Sequence, residues 1–245
     1  MVNIFVFIVS FYLILFSLVG YGVFFQKFCF VRDEKFNNSE TRYIGFYGLF
    51  LLTLISLISS FIFKHGYIHN LVIHSFGITF FFILKLEAKK KFVRHIIIIS
   101  VLIFSALLIS KTHDDFSYYH LPFTKYLIEH KIVFGLGNIG HGYNLISSLF
   151  FLNSVFYLPF IEYFSFHFSL LYFLIFFNYF LFREIFLRDI NDVIKFLYLF
   201  AFAFFNLSFT RIAEYGTDKA GQLLIVILTI KLFSITCFNK IKFYH

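Results

Sequence analysis

The sequence predicts an all-α protein: a polytopic bundle of about seven membrane-spanning helices, with one or two interfacial helices in an outer loop. Three observations point there. Of 245 residues, 60% are hydrophobic and only 14% charged, against about 25% in a soluble domain, so charges cannot cover a water-facing surface. Apolar runs near the roughly 18–20 residues that a bilayer requires recur along the chain. Those runs do not alternate in polarity as barrel strands do, which leaves helices as the way to satisfy the backbone in lipid.

Seven segments are long enough, or nearly so: residues 4–25, 43–63, 71–86, 96–110, 164–182, 196–210 and 223–238. The first lacks a basic start and a small-residue cleavage site, so it reads as a retained helix rather than a signal peptide. The fourth and sixth are short for a hydrocarbon core of about 30 Å and extend into their flanks. The chain thus divides into a four-span region (1–110), an outer loop (111–163) and a three-span region (164–245).

The net charge of +8 is carried by short loops between apolar runs, which speaks for membrane orientation and against nucleic acid. Lys27, Arg32, Lys35 and Arg42 follow the first segment, and Lys85, Lys89, Lys90, Lys91 and Arg94 follow the third. Both loops are therefore placed in the cytoplasm, and the turn KHGYIHN (64–70) between them, with Lys64 alone, outside. Residues 111–163 are then extracytoplasmic.

Residues 143–160 allow two readings, a further span or a segment lying along the outer interface. The second puts Arg183, Arg188, Lys195, Lys240 and Lys242 on the cytoplasmic side, and the charge rule favours it. It also places 210–222 outside, on the face that carries the 111–142 loop. Cys29 and Cys237 have no paired spacing and are expected to be inert.

The longest polar interruption, 111–142, carries His113, Asp114, Asp115, Tyr118, Tyr119 and His120. Thr112 and Asp115 have the spacing of a helix capping box. The alternative is chemical: two adjacent carboxylates can hold a divalent cation or take a proton from a hydroxyl. Tyr118, Tyr119 and His120 are ordinary interface residues by default, with His120 a ligand or base in the chemical reading.

Leu121 before Pro122 disfavours helix there, so a new helix is expected over 122–131. Phe123, Tyr126, Leu127 and Ile128 would rest on the membrane while Lys125, Glu129 and His130 stay wet. Gly135 to Gly140 matches GxGxxG, but no βαβ unit surrounds it, so it reads as a turn. In TRIAEYGTDKAGQ (210–222), Arg211 and Lys219 could capture phosphate, with Glu214 or Asp218 as a second acid. Plain loop solvation is the alternative. His74 is read as a helix–helix hydrogen-bond partner outside any site.

THDDFSYYHLPFTKYLIEH, followed by RIAEYGTDKAG, resembles the first outer loop of GT-C glycosyltransferases, polytopic enzymes that use polyprenyl-phosphate-linked sugars. It is also similar to a group of bacterial multi-pass membrane proteins of that type. The resemblance covers 112–222 and rests mainly on Asp114 and Asp115. It implies that Asp114 or Asp115 acts on the acceptor hydroxyl, or on a metal ion (Mg2+ or Mn2+) at the donor phosphate, with His120 beside them. It further implies that His113, Tyr119, Arg211, Glu214, Asp218 and Lys219 bind substrate.

The implied partners are the bilayer of a bacterial plasma membrane and a lipid-phosphate sugar donor, and the product a cell-envelope glycan or lipid. The family carries its acidic loop after the first span, whereas here it follows the fourth. Family members are also longer, so the chain corresponds to an N-terminal portion or a minimal relative. The rival readings are an O-antigen polymerase or flippase-like glycan handler, a transporter and a non-catalytic assembly subunit.

Overall fold

A computed structural model describes residues 3–29, 40–84, 89–105, 111–112, 114–208, 214–216 and 218–238. The α-helices among them are α1 (Ile4–Cys29), α2 (Ile44–Ser60), α3 (Tyr67–Ile83), α4 (Lys89–Ile103), α5 (Leu121–Glu129), α6 (Ser148–Val155), α7 (Phe168–Phe186), α8 (Asp192–Leu207) and α9 (Asp218–Phe238). Four stretches are long and apolar enough to cross a membrane: α1, α2 with its lead-in (Thr41–Ser60), α7 with its lead-in (Glu162–Phe186), and Asp218–Cys237 of α9. The apolar α3 is shorter, at 17 residues.

Boundaries moved where flanking residues are good helix starters. α4 begins at Lys89, well before its apolar run, as the short fourth segment required. α8 begins one residue after Asn191, whose side chain accepts from the Val193 N–H, and Asp192 suits the helix dipole. α3 begins at Tyr67, so the YIHN of the expected 64–70 turn is helical and only Lys64, His65 and extended Gly66 remain outside helix.

The helices meet through small residues. A Cβ on Gly48 would strike the Leu18 carbonyl, one on Gly22 the Ile44 carbonyl, and one on Gly20 the Gly77 carbonyl. α1 therefore runs backbone-to-backbone against antiparallel α2 and parallel α3, the close approach through which dispersion holds apolar helices together. The Tyr21 hydroxyl donates to the Ile73 carbonyl at 2.7 Å across the same seam. α7 is the most enclosed of the four long apolar stretches. Tyr172 donates to the Phe11 carbonyl (2.8 Å), Tyr179 meets Phe92 of α4 edge-on, and Asn178 exchanges amide hydrogen bonds with Asn206 of α8.

These pairings give the bundle two distinct ends. Arg42 at the start of α2 and Lys231 of α9 both bond Glu184 at the end of α7. Lys91, Arg94 and Arg183 also lie close enough to His95 for their charges to act on it. This is the basic end. At the other end Ser60 of α2 accepts from the Ile132 N–H, and the His65 N–H donates to the Leu127 carbonyl, which ties α5 over the α2–α3 turn.

The loop end corrects three sequence expectations. Residues 143–160 form no span, and only their ends lie at the surface: their one α-helix, α6, has eight residues and is wedged between α2, α3, α5 and α7. Polar atoms on the bundle helices hold it there. Ser56 donates to the Phe151 carbonyl, Asn70 donates to the His65, Ser154 and Tyr157 carbonyls at 2.8 Å each, and His74 bonds Ser17 and the Val155 carbonyl at 3.0 Å. His74 is thus the helix–helix partner its position suggested.

The apolar face of α5 does not rest on lipid either. Phe123 and Leu127 are buried against Phe150 and Phe151 of α6, while Lys125, Glu129 and His130 stay exposed. Finally, Leu121 does not break the helix. It is right-handed (φ −68°, ψ −47°), and a π-type turn over Phe116–His120 runs straight into α5. The wider turn accommodates Pro122, which has no N–H to give.

Buried His65 links the layers, bonding Ser154 at 2.6 Å and Ser59 at 3.0 Å. Burial pushes its imidazole down to about 3, neighbouring His69 adding to the fall and a backbone hydrogen bond at Ser56 opposing it. Between about 3 and the ordinary value of about 6.5 the unfolded chain binds a proton that the fold refuses. Stability is therefore complete above about pH 6.5 and declines as pH falls through that window. We expect Tm in detergent to drop from about pH 7.5 to about pH 5, and to drop less in His65→Gln. Equal pH dependence in the two proteins would show that His65 is not held neutral.

Candidate functional site

Two loops about a hundred residues apart in sequence are joined by backbone pairing, a feature the all-α expectation did not contain. Lys111–Thr112 runs parallel to Glu214–Tyr215, with Lys111 opposite Glu214 and Thr112 opposite Tyr215. The pairing sets the acidic loop beside the start of α9. The Thr112 backbone pairs with Tyr215, and Asp115, the residue before the π-type turn, makes no side-chain capping bond to that turn.

Asp115 is half-buried and Asp114 exposed. The Asp115 carbonyl accepts the N–H groups of Tyr118, Tyr119 and His120 at 3.1–3.4 Å, so the turn wraps around this residue. Its carboxylate Oδ2 accepts the Tyr119 hydroxyl at 3.2 Å. Burial, then the Asp115 hydrogen bond, then the charges of Asp115 and Asp218 hold that hydroxyl above the usual phenol range, so it remains a donor. Asp218, exposed in the first turn of α9, is thereby shown to lie within electrostatic reach of Tyr119.

Beneath them His120 is 2% exposed, its ring edge-on to Tyr119 (4.5 Å) and near Phe150 and Tyr215. A chain of hydrogen bonds supports it. Thr124 donates to the His120 carbonyl (2.8 Å), which leaves its oxygen to accept from the Tyr215 hydroxyl (3.2 Å), and Tyr215 in turn accepts from Asn153 (3.2 Å). Burial raises the Tyr215 hydroxyl well above the phenol range, the bonds to Thr124 and Asn153 opposing it. The relay ties the turn to α5, α6 and the second loop, and fixes the height of Asp115 above the bundle.

Of the residues expected to form a site, Asp114, Asp115, Tyr119, His120, Asp218 and half-exposed Lys219 occupy this one corner of the loop end. Glu214 contributes backbone to the pairing. His113 and Arg211 lie outside the described residues. Tyr215, Thr124 and Asn153 were missed. Tyr215 sits inside the motif already singled out and Thr124 is one helical turn past His120, but nothing local marks Asn153.

No group of three or more His, Cys, Asp or Glu side chains converges among the described residues. Asp114 and Asp115 alone could hold Mg2+ or Mn2+ only if water and donor-phosphate oxygens completed the about six oxygen ligands. What the corner can do is accept a proton at Asp115, orient a hydroxyl through Tyr119 and present Lys219 to an anion.

No curated protein and no solved structure matches the chain. One family matches it from residue 4 to residue 242, across all its helices, and the chain belongs to that family, described as a domain of unknown function (DUF8201).

Proposed function

We propose that this is a multi-pass membrane glycosyltransferase of GT-C type, moving a sugar from a polyprenyl-phosphate-linked donor to a cell-envelope glycan or lipid. In this reading α1, α2, α3, α4, α7, α8 and α9 make seven crossings of a bacterial plasma membrane, while α5 and α6 form a cap. The clustering of cationic residues at one end supports placing that end in the cytoplasm, with the cap and its acidic corner outside.

The observation that carries the chemistry is Asp115: a half-buried carboxylate, oriented by Tyr119, in a loop fastened to the head of α9. Asp115 takes the proton of the acceptor hydroxyl as its oxygen bonds to the anomeric carbon. The bond from that carbon to the donor phosphate breaks, and its electron pair leaves with the lipid phosphate. Lys219 meets the charge on the departing phosphate. Asp114, being exposed, is not the base.

The test is the mass of envelope glycans in a strain lacking the gene, beside its parent and a strain with the gene restored. A deficit of one sugar residue, repaired by the restored gene, is expected. Identical glycans in all three strains would end this reading.

A further inference from the structure

A second polar cluster lies at the basic end, far from Asp115. Glu184, 1% exposed, accepts from Arg42 at Oε1, from Lys231 at Oε2 (3.0 Å) and from Arg188 at both oxygens (3.0 Å to Oε2, 3.4 Å to Oε1). A buried carboxylate needs one well-placed cation, and Arg42, itself buried, provides it. Arg188 and Lys231 are then second and third cations on the same carboxylate. Neither has another acid within ion-pair distance among the described residues. Among the described residues three cations thus face one carboxylate, and their mutual repulsion leaves more positive charge here than a single buried ion pair needs.

Two further facts give the excess a direction. Arg188 and Lys231 are 43% and 22% exposed, so an anion from outside can reach them. Tyr198 is fully buried, edge-on to the Phe180 ring over which Lys231 also sits, and close enough to Glu184, Arg42 and Arg188 for their charges to act on it. Its hydroxyl has no hydrogen-bond partner among the described residues. A guanidinium, an ammonium and a spare hydroxyl donor are the set that fits a tetrahedral oxyanion.

We propose that Arg188, Lys231 and Tyr198 bind one phosphate anion, either the headgroup of an anionic phospholipid or a free phosphate ester. Basic clusters between helices at this depth face the headgroup layer, where such anions are concentrated. The proposal does not rest on the glycosyltransferase reading.

The whole chain is placed in nanodiscs of phosphatidylcholine, with and without phosphatidylglycerol, and separately in phosphatidylcholine with inorganic phosphate. Tm and lipid retained in native mass spectrometry are read. Wild type should gain Tm with the anionic lipid if a headgroup is bound, or with phosphate alone if a free ester is bound. Arg188→Gln and Lys231→Gln should each weaken the response about fivefold. Tyr198→Phe should also weaken it, and Glu184→Gln should strengthen it. Lys27→Gln, at the same end but outside the cluster, should leave it unchanged. No response to either anion in wild type overturns the site. So does an equal loss in Lys27→Gln, which would reduce the effect to diffuse surface charge. Should the Lys231 variant not fold, Arg188→Gln and Tyr198→Phe decide the matter alone.

Discussion

Asp115→Asn is expected to reach the membrane at wild-type levels and to lose sugar transfer by about 10²- to 10⁴-fold, the usual cost of removing a positioned general base. The amide keeps the side chain's shape and can still accept from Tyr119, so the turn over Phe116–His120 should survive. Only the proton acceptor is lost. Tyr119→Phe removes one donor to a carboxylate, a contact worth about 1.5 kcal/mol, and should cost about tenfold in kcat with little change in KM. Asp114→Asn should stay near wild type, because that carboxylate is exposed and Asp115 is the one that receives Tyr119.

The ordering of the three variants is what a docking or scaffolding role would not produce. A surface that merely holds a partner would respond most to its exposed acid, Asp114. Full transfer by Asp115→Asn, measured on inserted protein with a lipid-phosphate sugar donor, rules out the base assignment whatever the other two variants do.

Much of this arrangement was legible in the residues. The apolar runs located α1, α2, α3, α7 and α9 to within a few positions, because length and hydropathy suffice where lipid leaves the backbone no alternative to helix. The meeting of the 111–120 and 210–222 loops followed from counting crossings and charges. Residues 143–160 were not legible. YNLISSLFFLNSVFYLPF is apolar enough for lipid, and nothing local reveals that Ser56, Asn70 and His74 wait on other helices for its carbonyls. The face of α5 misled for the same reason, since an apolar stripe does not say whether it meets acyl chains or Phe150 and Phe151. Glu184 stands in plain view, an acid between Arg183 and Arg188 at the end of an apolar run, but nothing local marks its distant partners Arg42 and Lys231.

Gly48→Leu and Gly20→Leu are expected to be the most damaging substitutions for the fold. Overfilling a packed core costs about 1–3 kcal/mol where side chains can shift aside. Here the obstructing atoms are backbone, the Leu18 carbonyl for Gly48 and the Gly77 carbonyl for Gly20, so α1 must move bodily from α2 or α3. Each helix that moves takes its bonds with it: α2 carries Ser56 and α3 carries Asn70 and His74, the donors that seat α6. α6 in turn carries Asn153, the anchor of Tyr215 beneath the acidic turn. A leucine at either glycine should therefore lower Tm steeply and abolish transfer together, although neither lies at the loop end.

Gly221 offers the opposite sign on the same chemistry. It is in α9 with open space around a would-be Cβ, so Gly221→Ala should leave stability unchanged or raise it by up to about 1 kcal/mol of helix propensity, with Tm unchanged or higher. If Gly48→Leu and Gly221→Ala melt alike in the same detergent, the helices are not in backbone contact. The path by which the α1 seam supports the acidic corner then fails with them.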